Sequence, residues 1–295
     1  MANAATLKSA KPQIPPAPAV AATFLSASAP SSLRTFAMLS HPGRVRHSNQ
    51  DACASLPELG AFVVCDGIGG AAAGEVASRL ATEVFLSTLS QPDPQQSRRI
   101  PPKSASGPNG DKAASHHSLL HEAVRAANQA VYRHSRKSPA FHGMGTTLVA
   151  ALLDATSPTL WLAHVGDSRC YRLRSAKLEG LTVDHSLVEE QIRAGLLSRV
   201  QASHSPIRNI ITRAIGSQPA VEPDIAAHDV QSGDLYLLAS DGLTRELTDS
   251  EIAQILAPTR TFTPADLEAA CQTLVDAANR KGGRDNITVL LIACR

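Results

Sequence analysis

Asp66, Asp167, Asp241 and Asp285 each stand where a short apolar run ends or begins: after AFVVC, after LWLAHVG, after LYLLAS, and just ahead of NITVLLIA. Strand ends collect along the rim of a sheet, so these carboxylates are candidates to meet in one place. Carboxylates brought together repel, and their pKa values rise unless a positive charge lies between them. The candidate ligands are all oxygens, with no Cys or His at metal-binding spacing, and hard divalent cations such as Mg²⁺ or Mn²⁺ suit that donor set. Taken singly, an aspartate at a strand end is usually a turn or helix-cap residue. Each of the four also has a glycine beside it (Gly67, Gly166, Gly242, and Gly282 with Gly283), which keeps a plain hairpin-turn reading open.

Arg46 lies just upstream of Asn49, Gln50 and Asp51, and Arg44 and Arg46 alternate with their neighbours in the manner of a strand. A lone arginine is by default a solvated surface residue. Beside a metal-held phosphate, however, a guanidinium supplies bidentate contacts that a lysine cannot. Of the eleven histidines only His164 and His185 fall near the aspartate segments. His164 sits inside an apolar run and reads as a strand residue packed or hydrogen-bonded in the sheet rather than a catalytic one. The segment from Asp66 to Ala72 invites a different chemistry, because a strand, then G-x-G-x-x-A, then a helix is the layout of a dinucleotide-binding turn. That turn expects a second parallel strand ending in an acid about 20 residues on. A Pro/Gln/Ser-rich stretch follows instead, and Asp66 would repel a pyrophosphate.

The elements that must position these residues are short strands. Apolar runs of strand length cover residues 61–65, 146–153, 159–164, 170–173, 235–239 and 287–293. Those between 146 and 173 succeed one another with no helix between them, which predicts antiparallel pairing rather than repeated βαβ units. Val76, Leu80, Val84 and Phe85, and then Leu120, Ala123, Val124, Ala127 and Val131, recur at helical spacing and predict two amphipathic helices. Between them residues 91–115, rich in Pro, Gln, Ser and Gly, read as a surface loop inside one domain. Residues 1–32 cannot bury enough apolar surface to offset chain entropy. They are expected to form a disordered Ala/Pro/Ser-rich tail, with the folded unit running over 33–295. An acid-free stretch of that composition also fits an organellar transit peptide; a bacterial-style tail is the reading taken.

With 295 residues, 43% hydrophobic and 18% charged, the chain can build a sizeable core in one large or two small domains. A net charge of +2 argues against a dedicated nucleic-acid binder, so an anionic substrate must be met locally. No apolar run approaches the ~18 residues of a membrane span. Cys53, Cys65, Cys170, Cys271 and Cys294 are scattered without C-x-x-C spacing and read as reduced core residues of a cytoplasmic protein.

Seven segments, in chain order, resemble the motifs of one family. They are Arg46-His47-Ser48-Asn49-Gln50-Asp51, Val64-Cys65-Asp66-Gly67-Ile68-Gly69-Gly70, Gly143-Met144-Gly145-Thr146-Thr147, Val165-Gly166-Asp167-Ser168-Arg169, Asp184-His185-Ser186, Ser240-Asp241-Gly242 and Asp285-Asn286-Ile287-Thr288. The family is that of the metal-dependent serine/threonine phosphatases, the PPM or type 2C group, in a bacterial-type form, and the likeness spans residues 33–295. The resemblance implies an α+β fold, a four-layer sandwich of two central antiparallel β-sheets flanked by α-helices, with a metal centre in the cleft at one end. Asp66 would bridge two Mg²⁺ or Mn²⁺ ions, Asp241 and Asp285 would hold one, the Gly67 carbonyl would touch the other, and Asp51 would act through water. Asp167 would help hold a third, weaker ion. Arg46 would bind the phosphoryl group, and residues 187–224 would carry a mobile flap.

The implied activity is hydrolysis of phosphoserine and phosphothreonine on proteins, in signalling opposed to a Ser/Thr protein kinase, with neither nucleic acid nor membrane as partner. Gln50 stands where the family often has Glu, which removes one charge. Ile68 stands where many eukaryotic members have a His proposed as general acid, so the proton donor is unassigned; a water on the ion held by Asp167 is the first replacement and His185 the next. Two rivals accompany this reading. One is a phosphoprotein-binding module that has lost turnover, disfavoured because every expected ligand aspartate is present. The other is a two-metal hydrolase of small phosphoesters or nucleotides, which would share the cleft chemistry and differ in its loops.

Overall fold

A computed structural model describes residues 23–28, 34–69, 71–91, 108–203, 205–259 and 261–295. Among the described residues the strands are β1 (Thr23–Ser28), β2 (Arg34–His41), β3 (Asp51–Leu56), β4 (Ala61–Ile68), β5 (Gly145–Thr146), β6 (Leu148–Leu153), β7 (Thr159–Val165), β8 (Arg169–Arg174), β9 (Lys177–Gly180), β10 (Asp224–Asp229), β11 (Leu235–Ala239) and β12 (Ile287–Cys294). The helices are α1 (Ala71–Ser90), α2 (Pro108–Ser135), α3 (Leu187–Arg193), α4 (Arg199–Ser203), α5 (Asp241–Thr244), α6 (Asp249–Leu256) and α7 (Pro264–Lys281). Every apolar run expected to be a strand lies in one, apart from Thr147 between β5 and β6.

Two sheets form, in the orders β1-β2-β12-β11-β8-β9 and β10-β7-β6-β4-β3, with β5 pairing the end of β4. Every pairing is antiparallel. Side chains alternate across a strand, and both faces of the central strands are covered, which is why β12 is apolar without a break from Val289 to Cys294. Its Leu290, Ile292 and Cys294 pack between the sheets, while Val289, Leu291 and Ala293 pack outward. The inter-sheet layer joins Phe36 and Met38 to Phe62, Val64, Val149 and Leu162, with the Phe36 and Phe62 rings edge to face at 5.3 Å. On one outer face Ala77, Phe85, Leu120 and Val124 of α1 and α2 cover Val63, Ala150 and Ala163. On the other, Ile252, Leu267, Leu274 and Val275 of α6 and α7 cover Leu39, Leu237 and Val289. The expected four-layer α+β sandwich is the fold found.

Helix starts follow from local chemistry. Thr248 with Glu251 opens α6 and Thr263 with Asp266 opens α7, each as a reciprocal capping box, and Pro264 occupies the first turn of α7 where its missing N–H costs nothing.

Three expectations change. The tail expected over 1–32 is not wholly unstructured: Thr23–Ser28 pairs with β2 from Thr23↔Ser40 to Ser28↔Thr35, because an edge position needs only backbone partners. The rest of that tail lies outside the described residues. The loop expected over 91–115 is shorter, since α2 begins at Pro108; residues 92–107 lie outside the described residues. Arg44 and Arg46 are not in a strand but in a turn after β2, for a reason given by the site. Among the described residues, no helix is long and apolar enough to cross a membrane.

Candidate active site

Each candidate aspartate sits where the chain leaves or enters a strand at the same end of the sandwich. Asp51 opens β3 and is the direct cross-strand partner of Asp66 near the end of β4. Asp167 lies in the connection between β7 and β8, which belong to different sheets, so the chain crosses between layers at that residue. Asp241 follows β11 as the first residue of α5, and Asp285 precedes β12, the neighbour of β11. Both sheets therefore deliver carboxylates to one cleft.

Close backbone packing holds these corners. Gly43 adopts φ +78°, and a Cβ there would lie 2.1 Å from the Asp285 carbonyl oxygen. Asn286 clamps the segment that follows: its Nδ2 donates to the carbonyls of Pro42 (3.0 Å) and Ser48 (2.9 Å), and its Oδ1 accepts from the Gln50 N–H (2.8 Å). These contacts make the Arg44–Arg46 segment a turn rather than a strand. The turn aims Arg46 across the cleft, where its Nη2 donates to Asp285 Oδ2 at 2.8 Å with half of the side chain exposed. Gly67, next to Asp66, packs against α1; a Cβ on Gly74 would come within 3.0 Å of the Gly67 carbonyl oxygen. Gly70 lies outside the described residues.

Asp51 is tethered by a directed chain of hydroxyls. Thr288 Oγ1 and Ser240 Oγ both donate to its Oδ2 at 2.7 Å. The single Thr288 proton being spent there, the 2.7 Å contact between Ser40 and Thr288 has Ser40 as donor, and Asn49 Nδ2 donates to Ser40 Oγ at 2.8 Å. Residues of the β2-β12-β11 side thus orient a carboxylate that the other sheet supplies.

The electrostatics are those of crowded acids. Burial first, and then the charges of Asp51, Asp241, Asp167 and Asp285, push the Asp66 carboxyl well above the usual carboxylate range. Burial raises Asp51 to about 6 against the pull of its Thr288 and Ser240 donors. Burial raises Asp241 to about 6 despite Arg245, and raises Asp167 to about 7 with Asp241 adding to the rise. Asp51 Oδ1, Asp167 Oδ1 and Asp241 Oδ1 are buried acceptors without a hydrogen-bond partner. Orphaned oxygens on mutually repelling carboxylates fit hard divalent cations as their missing partners. Among the described residues, no three Asp, Glu, His or Cys side chains close tightly around one point. A guanidinium lies among them instead: Arg245 Nη2 pairs with Asp241 Oδ2 and sits 3.2 Å from Asp167 Oδ2, and its Nη1 is 3.9 Å from Asp285 Oδ2.

His164 is buried in β7 with neither ring nitrogen hydrogen-bonded, packed on His185 at 4.6 Å. Burial and the neighbouring His185 lower its pKa to about 3, so it is a neutral packing residue, as expected. His185 holds the Asp167 turn: its Nδ1 accepts from the Gly166 N–H at 3.1 Å and its backbone N–H donates to the Gly166 carbonyl at 2.7 Å. Its Nε2 lies 3.2 Å from Asp224 Oδ2 without making a hydrogen bond, so the ring is turned toward Asp224 rather than toward the candidate ligand aspartates. His185 thus positions the turn that carries Asp167.

Ser240, Asn286 and Thr288 stand inside motifs read from the sequence, but their tethering roles become visible only when the sheets are brought together. Arg245 is absent from that reading altogether. Its signal is the Asp241-to-Arg245 spacing of one helical turn.

The chain matches the family profile described as Protein phosphatase 2C over residues 43–279. It is 34% identical to the serine/threonine phosphatase Stp of Listeria monocytogenes over 253 residues, covering 85% of this chain and 92% of that protein. It is 36% identical over 256 residues to the serine/threonine protein phosphatase PstP of Mycobacterium tuberculosis, covering 87% of this chain and 44% of that one. Among solved structures, the catalytic domain of PstP in complex with two manganese ions superposes with a TM-score of 0.70 at 31% identity, covering 88% of this chain and 98% of that one.

Proposed function

The chain belongs to the protein phosphatase 2C family and is a metal-dependent serine/threonine phosphatase; we propose that it works with Asp66, Asp241, Asp285, Asp51, Asp167 and the Gly67 carbonyl as the ion-holding set and Arg46 as the phosphoryl-binding residue. The observation that carries this assignment is the convergence of aspartates from both sheets with buried, unpartnered oxygens on Asp51, Asp167 and Asp241. Divalent cations held by these aspartates would neutralise phosphoryl oxygens and acidify water there.

The chain's own groups do the rest. Asp51, held by Ser240 and Thr288, fixes a carboxylate opposite Asp66. Arg46, half exposed on a clamped turn, exchanges Asp285 for equatorial phosphoryl oxygens when substrate arrives. His185 holds the Gly166–Asp167 turn from behind. Ile68 offers no proton to the leaving alkoxide. Residues 187–224 form the flap that contacts substrate. The substrates are proteins phosphorylated by a Ser/Thr kinase in the cytoplasm, and either Mn²⁺ or Mg²⁺ serves.

The test is phosphate release from phosphothreonine and phosphoserine peptides, compared with nucleotides, after chelation and again with Mn²⁺ restored. Hydrolysis of the peptides alone, and only with metal, is expected. Preferential turnover of nucleotides would move the reading to a small-phosphoester hydrolase.

A further inference from the structure

Arg245 caps the short helix α5. Its backbone N–H donates to the Asp241 carbonyl at 2.8 Å, and one turn of helix carries its side chain back over the Asp241 carboxylate. There a single nitrogen, Nη2, meets Oδ2 of both Asp241 and Asp167. A compact positive centre between two carboxylate oxygens is the arrangement a cation would have. The fit is incomplete, since Oδ1 of each aspartate stays buried and unpartnered. A divalent ion would engage more of these oxygens with twice the charge. Two cationic groups cannot share that space. With 31% of the Arg245 side chain exposed, the guanidinium has a route out to solvent.

We propose that Arg245 is a built-in counter-ion that holds the Asp167–Asp241 position in the metal-free protein and competes with the divalent ion for it. This rests on the assignment of these aspartates as ion ligands. The guanidinium keeps the metal-free cleft from flying apart by charge repulsion, and it makes the ion at this position the weakest and most readily lost. Arg245 makes no hydrogen bond to Asp66 or to Asp285, whose Oδ2 is 3.9 Å from Nη1, so an ion that these two hold together with Asp241 keeps two uncontested ligands and is affected much less.

The experiment measures Mn²⁺ binding to the full chain by titration calorimetry and electron paramagnetic resonance, together with thermal unfolding in chelator, for wild type, Arg245→Gln and Arg245→Lys. In Arg245→Gln the weakest class of Mn²⁺ site is expected to tighten by at least roughly tenfold, with the tighter class within about twofold of wild type. The metal-free variant is expected to unfold at a lower temperature than wild type, a difference that disappears at saturating Mn²⁺. Arg245→Lys, which keeps the charge, should stay near wild type on both readouts. Equal affinities in wild type and Arg245→Gln, or weaker binding in the variant, would overturn the inference while leaving the metal centre standing. Failure of the wild type to bind Mn²⁺ at all would overturn both.

Discussion

Asp51 and Asp66 face each other directly across the β3–β4 ladder, two acidic side chains on one face of adjacent strands. Like charges so placed repel, and the fold keeps them together by tying Asp51 to Ser240 and Thr288. Asp66→Asn removes one of the two charges at nearly constant shape. The metal-free variant is expected to unfold at the same temperature as wild type or about 2–4 °C higher. A clear fall in unfolding temperature would mean Asp66 is held by a favourable contact rather than strained by its neighbours.

Arg46 reaches the cleft from a turn and touches only Asp285 among the aspartates, so it contributes to substrate more than to the ions. Arg46→Ala should lower kcat/KM for a phosphopeptide by about 10²-fold, with Mn²⁺ affinity changed little. Arg46→Lys should recover only part of the loss, because an ammonium lacks the guanidinium fork. An unchanged kcat/KM would remove Arg46 from the site.

Thr288→Val deletes one of the two hydroxyl donors on Asp51 and leaves Ser40 without its acceptor. With less support the Asp51 carboxylate is harder to ionise and less well aimed. Apparent Mn²⁺ affinity should fall by about 10–100-fold, the usual effect of losing a group that orients a ligand. Calorimetric titration with Mn²⁺ checks this, and unchanged affinity would count against Asp51 as part of the ion-holding set.

His164 gives the protein an acid-sensitive element. Its folded pKa, about 3, lies far below the 6.5 of an exposed histidine, because burial penalises the charged ring. A depressed folded pKa means that its stabilising contribution is present above pH 6.5 and is lost as the pH falls from 6.5 toward 3, by about 1.4 kcal/mol per pH unit. The raised pKa values of Asp51, Asp167 and Asp241 act in the opposite sense, favouring the fold toward acid. Comparing wild type with His164→Leu isolates the histidine, since those aspartates are common to both. Urea unfolding from pH 7 to 4.5 should show a shallower acid decline in the variant; parallel curves would contradict the burial account.

Apolar runs that meet an aspartate are readable as strands because burial on both faces leaves few polar positions, as in β4, β7, β11 and β12. Strands without that signature escaped. The TFLSAS of β1 joins the sheet at its edge through pairing with β2, and the DIAAHD of β10 is mostly exposed. Helices α6 and α7 carry their start signals in polar capping residues, Thr248 and Thr263, which lie outside any apolar run. The aspartates of the candidate site were legible because each ends an element. Arg245 was not, since its role depends on Asp167 arriving from the opposite sheet. The turn at Arg44–Arg46 likewise depends on Asn286, some 240 positions away in the chain.

If the cleft aspartates are the hydrolytic machinery, phosphate release must depend on them and on metal together. The most direct measurement is phosphate release from a phosphothreonine peptide during Mn²⁺ titration of chelator-treated wild type, Asp66→Asn, Asp241→Ala and Asp285→Ala, each shown folded by circular dichroism. Wild type should be silent in chelator and recover with Mn²⁺, while each variant stays at least about 10³-fold below it at every metal concentration. Turnover by wild type in excess chelator, or near wild-type rates from the folded variants, would contradict the account.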